Sequence, residues 1–168
     1  MAGAAAAIAA LLLVAPSSEA QVNKKQSAQA TKLTAVTKTI PTQDATKPHR
    51  LILQVNSNEP AMMNLALNNA ANVAQYYQDL GEKVSIDIVT FGPGLHMLRD
   101  DTSPVKARIK ALSEKQPSIS FEACGNTREN MSRAEGKEIP LMSEAKVVKS
   151  GVVRVMELQE QGWAYVKP

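Results

Sequence analysis

One cysteine stands in the 168-residue chain, Cys124, within the run Ser118-Ile119-Ser120-Phe121-Glu122-Ala123-Cys124-Gly125-Asn126-Thr127. A thiol reacts as its thiolate, and the thiolate is favoured beside the free N–H groups and aligned peptide dipoles at the start of a helix. The local pattern predicts such a place. Ile119, Phe121 and Ala123 alternate with Ser118, Ser120 and Glu122, the period of a strand, and Gly125 lets the chain turn. Asn126 with Glu129 three residues later has the form of a capping box opening a helix over residues 127–134. The chemistry on offer is nucleophilic attack by a sulfur of lowered pKa, presented to solvent where a strand gives way to a helix. A lone cysteine also serves as a small buried hydrophobe, and the apolar strand residues upstream leave that reading open.

The remaining candidates are weaker and cluster in turns. His96 follows Gly92-Pro93-Gly94 and is a candidate base or hydrogen-bond partner for the sulfur, or a residue exposed on a helical turn. Asn56 and Asn58 lie in a polar turn, where asparagines line anion pockets but also cap backbone groups. Gly92, Gly94, Gly125, Asn126 and Thr127 complete the shallow pocket expected around Cys124. Asp87 falls in a strand, either paired with a buried amide or cation or facing outward. No metal-ligand spacing, phosphate-cradling glycine loop, Ser-His-Asp pattern or dinucleotide fingerprint occurs, so neither metal nor cofactor is expected.

These residues must be held by a scaffold, and the periodicities describe one. Residues 50–55 form an apolar run suited to a strand covered on both faces. Residues 61–80 repeat Met63, Leu67, Ala70, Ala74, Tyr77 and Leu80 at helical spacing, with Pro60 before them and Gly81 after. A strand over 83–91 follows, then the Gly-Pro-Gly loop and one helical turn at 95–98. Ser103 and Pro104 announce another helix, with Val105, Ile109 and Leu112 facing inward. After the cysteine strand and its helix come a loop over 136–143, a strand over 145–148, a helix over 151–161 closed by Gly162, and a last strand over 163–166. Strand and helix alternate throughout. The expected fold is a three-layer α/β/α architecture, a mainly parallel five-stranded sheet with helices on both faces, its chemistry beyond the carboxyl ends of the strands.

Composition sets the outer limits. Residues 2–15 are an apolar run rich in alanine and leucine, too short for a membrane anchor, and Ser18-Glu19-Ala20 places small residues where a signal peptidase reads. Residues 1–20 are therefore expected to be a signal peptide, although no basic residue precedes the apolar run. Residues 21–48 carry five lysines against Asp44, without apolar periodicity, and read as a disordered linker. Residues 49–168 form the folded domain, with 14 basic and 14 acidic residues. The net charge of +3 is thus a property of the leader. Nothing in the domain calls for nucleic acid, and no integral membrane segment is expected after signal cleavage.

The domain resembles the DsrE/DsrF-like (YchN-like) family. The resemblance rests on a first strand with its polar turn, Asn64-Leu65-Ala66-Leu67-Asn68-Asn69-Ala70, Phe91-Gly92-Pro93-Gly94, Ala123-Cys124-Gly125-Asn126-Thr127, and the ending Gly162-Trp163-Ala164-Tyr165-Val166-Lys167-Pro168. It implies a protein that handles sulfur as a persulfide or mixed disulfide on Cys124, while the expected signal peptide makes this chain an exported, periplasmic one where sulfur-relay members of the family are cytoplasmic. It also implies a homo-oligomer, trimer or hexamer, and a sulfur donor or acceptor protein as partner. The alternative is a non-catalytic oligomeric module that binds a small anion or a protein, with the thiol as packing. Either way, a single cysteine needs another molecule to release whatever it binds.

Overall fold

A computed structural model describes residues 48–168. The expected signal peptide and all but the last residue of the expected linker lie outside the described residues.

Five strands and four α-helices alternate: β1 (His49–Val55), α1 (Pro60–Asp79), β2 (Val84–Thr90), a 3₁₀ helix (Gly92–Leu98), α2 (Lys106–Lys115), β3 (Ile119–Cys124), α3 (Gly125–Glu135), β4 (Ala145–Val148), α4 (Gly151–Glu160) and β5 (Ala164–Val166). The sheet order is β4-β3-β2-β1-β5 and every pairing is parallel. The three-layer arrangement holds, and the sheet is wholly rather than mainly parallel.

The order follows from the crossover rule. From β1 to β4 each strand is laid beside its predecessor, so right-handed connections place α1, α2 and α3 on one face. The chain then returns across the sheet to put β5 beside β1, which carries α4 to the other face. The packing agrees. Leu51, Leu53, Ile86, Ile88, Ile119 and Phe121 point to the first face and join Met63, Leu67, Ala70 and Ile109 in the main core, with Met131 of α3 at its margin. Ile52 and Val89 point the other way and meet Val155 and Leu158 of α4. Burial on both sides is why β1 reads as a continuous apolar run.

Three local expectations change. Leu80, assigned to the inner face of α1, is the C-cap just past the last helical residue and is exposed, with Gly81 (φ 70°) turning the chain away directly after it. Ser103 does not cap α2. Its hydroxyl donates to the Met97 carbonyl at 2.6 Å and accepts from the Val105 amide at 3.3 Å, closing a turn before the helix begins at Lys106. The Gly-Pro-Gly segment is itself part of the 3₁₀ helix rather than a loop before it. None of the helices among the described residues is long and apolar enough to cross a membrane.

Candidate functional site

Adjacent strands whose following helices leave to opposite faces make a crevice at their carboxyl ends. Here those strands are β3 and β4: α3 departs to the first face and α4 to the second. Cys124 is the last residue of β3, paired in register with Val148, the last of β4. The chain direction therefore sends two helix N-termini away from the neighbourhood of one sulfur.

The local geometry departs from the capping-box expectation. α3 begins at Gly125, two residues earlier than predicted, and Cys124 itself occupies the N-cap position with extended backbone (φ −66°, ψ 115°). Asn126 is the second helical residue, and its amide donates to the Lys149 carbonyl at 3.1 Å, so its side chain caps nothing. The sequence rule failed because Gly125 enters the helix instead of turning before it.

Cys124 Sγ is surrounded by donors. The Thr127 hydroxyl and the amides of Gly151, Thr127 and Asn126 lie around it and favour its anionic form, the Asn126 amide also donating to the Lys149 carbonyl. Burial pushes the thiol pKa up and is the largest single influence. The Thr127 hydroxyl and the three amides together outweigh it and leave the pKa below the ordinary thiol value. The Gly151 amide is the contribution of the second helix, and only glycine permits it. A Cβ at residue 151 would stand 2.9 Å from Phe91 Cδ1 and 3.3 Å from Cys124 Cβ. The sulfur is not presented to solvent, as had been expected. Cys124 is only 4% exposed, closed over by Phe91, Gly151 and Thr127.

The other predicted residues divide between three places. Asn58, Gly92, His96 and Thr127 line one open cleft of about 960 Å³ at the carboxyl edge of the sheet, beside Arg99 and Asn130. Thr127 joins that cleft to the thiol: its hydroxyl accepts from the Gly92 amide at 3.0 Å while lying beside Sγ. His96 Nε2 lies 2.9 Å from the Thr102 carbonyl, to which it donates, so this nitrogen is engaged away from the sulfur. Asn126 lines a different cleft, with Ser150 and Arg154. Asn56 lies apart, in a small hollow beside Gln54 and Lys167. Gly94 serves the backbone rather than a pocket: a Cβ there would stand 2.1 Å from the Val55 carbonyl oxygen.

The charges in the 960 Å³ cleft are already paired. Arg99 is buried, donates twice to Asp101 at 2.9 Å and is held by Glu135 as well. Its hydrogen bonds hold both carboxyls below their usual range. A second hollow of about 570 Å³ opens at the opposite, amino-terminal edge, where His49 stacks on Tyr77, far from Cys124. Among the described residues, no group of three or more His, Cys, Asp or Glu side chains could hold a metal ion.

Of the two readings of Asp87, pairing with a cation is the one found, but its partners Arg154 and Glu122, a buried ion cluster behind the thiol, were missed. Arg154 of α4 donates from Nε to Glu122 Oε2 at 2.8 Å and from Nη2 to Glu122 Oε1 and Asp87 Oδ2, both at 3.0 Å. Asp87 and Glu122 are 6% and 4% exposed. Burial, reinforced by the neighbouring Glu122 charge, pushes Asp87 up to about 6 despite Arg154. The signal was present as an acid inside each of two apolar strands and an arginine inside Val152-Val153-Arg154-Val155.

No protein-family model matches the chain. No curated protein matches it either. Among solved structures it is similar to a protein of unknown function from Methanobacterium thermoautotrophicum, at 30% sequence identity and a TM-score of 0.60, over 71% of this chain and 99% of that one.

Proposed function

We propose that the domain handles sulfur through Cys124, as a DsrE/DsrF-like protein carrying a persulfide or mixed disulfide. The observation that carries this reading is the convergence of donors from the starts of α3 and α4 on a single Sγ. Such a site favours an anionic sulfur, whether thiolate or persulfide. With thiosulfate, the thiolate attacks the sulfane sulfur, the sulfur–sulfur bond breaks, and sulfite leaves with the bonding pair. The cysteine is left as a persulfide anion. The cleft lined by Asn58, Gly92, His96 and Thr127 is the approach for the donor, with Thr127 at its inner end. Because the sulfur is covered, delivery requires the Thr127 side or the α4 side to give way. Mass spectrometry of the native protein after thiosulfate or polysulfide treatment should show one or more added sulfur atoms on Cys124. An unmodified Cys124 under all such conditions would reject the reading.

The resemblance further supports a trimer or hexamer working with a sulfur donor or acceptor, and the signal-like residues 1–20 support an exported, periplasmic protein. Exposed Val152, Val153 and Met156 on α4 and Val147 on the edge strand β4 are consistent with contact between copies. Fractionation and light scattering test these points directly.

One observation favours a second reading, a binding module in which the thiol is packing: the 4% exposure of Cys124. In that case Cys124→Ala keeps ligand binding and oligomer size, and the thiol resists alkylation until the protein unfolds.

A further inference from the structure

We propose that Arg154 is a positioning residue for Cys124: gripped by Glu122 and Asp87, it fastens the first turn of α4 to the sheet and so holds the Gly151 amide on the sulfur. The inference rests on the reading of Cys124 as a stabilised thiolate and names what sets that state.

The argument begins with spacing. Glu122 and Cys124 are two residues apart on β3 and therefore face the same side of the sheet, the side covered by α4. Gly151 and Arg154 are three apart in the first turn of α4 and therefore share one side of the helix. Two cross-links result, each joining the same strand to the same helical turn. One is the paired Nε and Nη2 contact of Arg154 with Glu122 at 2.8 and 3.0 Å, and the other is the Gly151 amide on Sγ. Asp87 on β2 accepts from Nη2 at 3.0 Å and widens the grip to a second strand.

The Asn126 amide holds the Lys149 carbonyl at 3.1 Å just before this turn, and the Arg154 fork is the side-chain anchor that ties the turn itself to the sheet. Val155 and Leu158 anchor α4 further along, against Ile52 and Val89, while Val152 and Val153 beside Arg154 are about half exposed. The Ser150 hydroxyl reaches the Val153 amide only at 3.5 Å. A guanidinium can bridge both oxygens of Glu122 and still reach Asp87; a lysine ammonium cannot hold that fork. The charged groups around this face are Asp87, Glu122, Arg154, Lys146 beside Glu122 on β4 and, on the outer wall, Lys149 and Glu157.

In Glu122→Gln, positioning and simple charge predict different signs; in Arg154→Met both predict an upward shift, so Glu122→Gln decides between them. Removing the negative charge of Glu122 would by charge alone lower the thiol pKa, whereas freeing Arg154 withdraws the Gly151 amide and raises it.

The test is the pH profile of iodoacetamide alkylation of Cys124 in the folded full-length chain, comparing wild type, Arg154→Met and Glu122→Gln, with circular dichroism to establish folding. Both variants should move the midpoint upward, by about half a pH unit or more for a lost donor to a thiolate. Both should also raise the plateau rate at high pH as the cover over the sulfur loosens. Glu122→Gln keeps one acceptor for the guanidinium and serves as the readout if Arg154→Met does not fold. A downward shift in Glu122→Gln, or folded variants matching a wild-type midpoint that lies below the ordinary thiol value, overturns the inference alone. A wild-type midpoint at or above the ordinary value, or no alkylation before unfolding, overturns the thiolate reading and the inference with it. Failure of sulfur loading with both midpoints raised rejects sulfur handling and leaves Arg154 in its role.

Discussion

The two faces of the sheet are built from the same strands and do different work. On the first, Leu51, Leu53, Ile86, Ile88, Ile119 and Phe121 meet α1, α2 and α3 in an apolar layer. On the second, Ile52 and Val89 share the space beneath one helix with Asp87, Glu122 and Cys124. The alternation of side chains along β2 and β3 separates these environments within one residue. Stability is concentrated where three helices cover the sheet, which leaves the face under α4 able to hold buried charge and an unpaired thiol.

Damage to the apolar face should have the largest effect on stability and the least on chemistry. Phe121 is 1% exposed, and Phe121→Ala should cost about 3–5 kcal/mol in urea unfolding. The alkylation midpoint of the fraction that remains folded should be unchanged. A shifted midpoint would mean that the two faces are coupled through β3.

The polar face should instead reveal itself through pH. Asp87 is pushed up to about 6 from an ordinary 3.8, chiefly by burial. A carboxyl whose folded pKa is raised gives its full stabilisation below the unfolded value and loses it as pH rises through the folded one. Ionised Asp87 should therefore cost the fold roughly 2 kcal/mol at pH 8 relative to pH 4. Arg99 holds the Asp101 and Glu135 carboxyls in the opposite direction, so their contribution is lost only at lower pH. Asp87→Asn should flatten the stability profile between pH 5 and 8, read as the difference from wild type in chemical denaturation. A variant that parallels wild type across that range would remove Asp87 as the cause.

A smaller effect should come from the link between the cleft and the sulfur. Thr127→Val keeps the shape but removes the hydroxyl that joins the Gly92 amide to Sγ. It should cost about 1–2 kcal/mol and raise the thiol midpoint. Smallest of all, Met156→Lys on the exposed side of α4 should change stability by no more than about 0.5 kcal/mol. If copies associate through this helix, the same change lowers the mass seen by light scattering.

The fold was legible because strand and helix alternate with unbroken period, and β4 ends where the pattern placed it, at Val148. What escaped was long-range register. The residues Cys124, Gly92 and Thr127 could be named from local motifs, but Gly151 lies 27 positions beyond Cys124 and meets it only because β4 pairs with β3. The Ser150-Gly151 start of α4 repeats the Cys124-Gly125 start of α3, an N-cap residue followed by a helix-opening glycine, and that repetition was the available clue. Asp87, Glu122 and Arg154 were unreadable as a group for the same reason, since their separation of up to 67 residues closes only through sheet order. The exposure of the thiol was misjudged because the position was inferred from one helix, and the second helix is what covers it.

The most direct test is the pH dependence of Cys124 alkylation in the native wild-type protein. Two helix starts and the Thr127 hydroxyl should bring the midpoint below the roughly 8.5 of a free cysteine, with reaction proceeding while the protein remains folded. A midpoint at or above that value, or a thiol that reacts only on unfolding, would contradict the account.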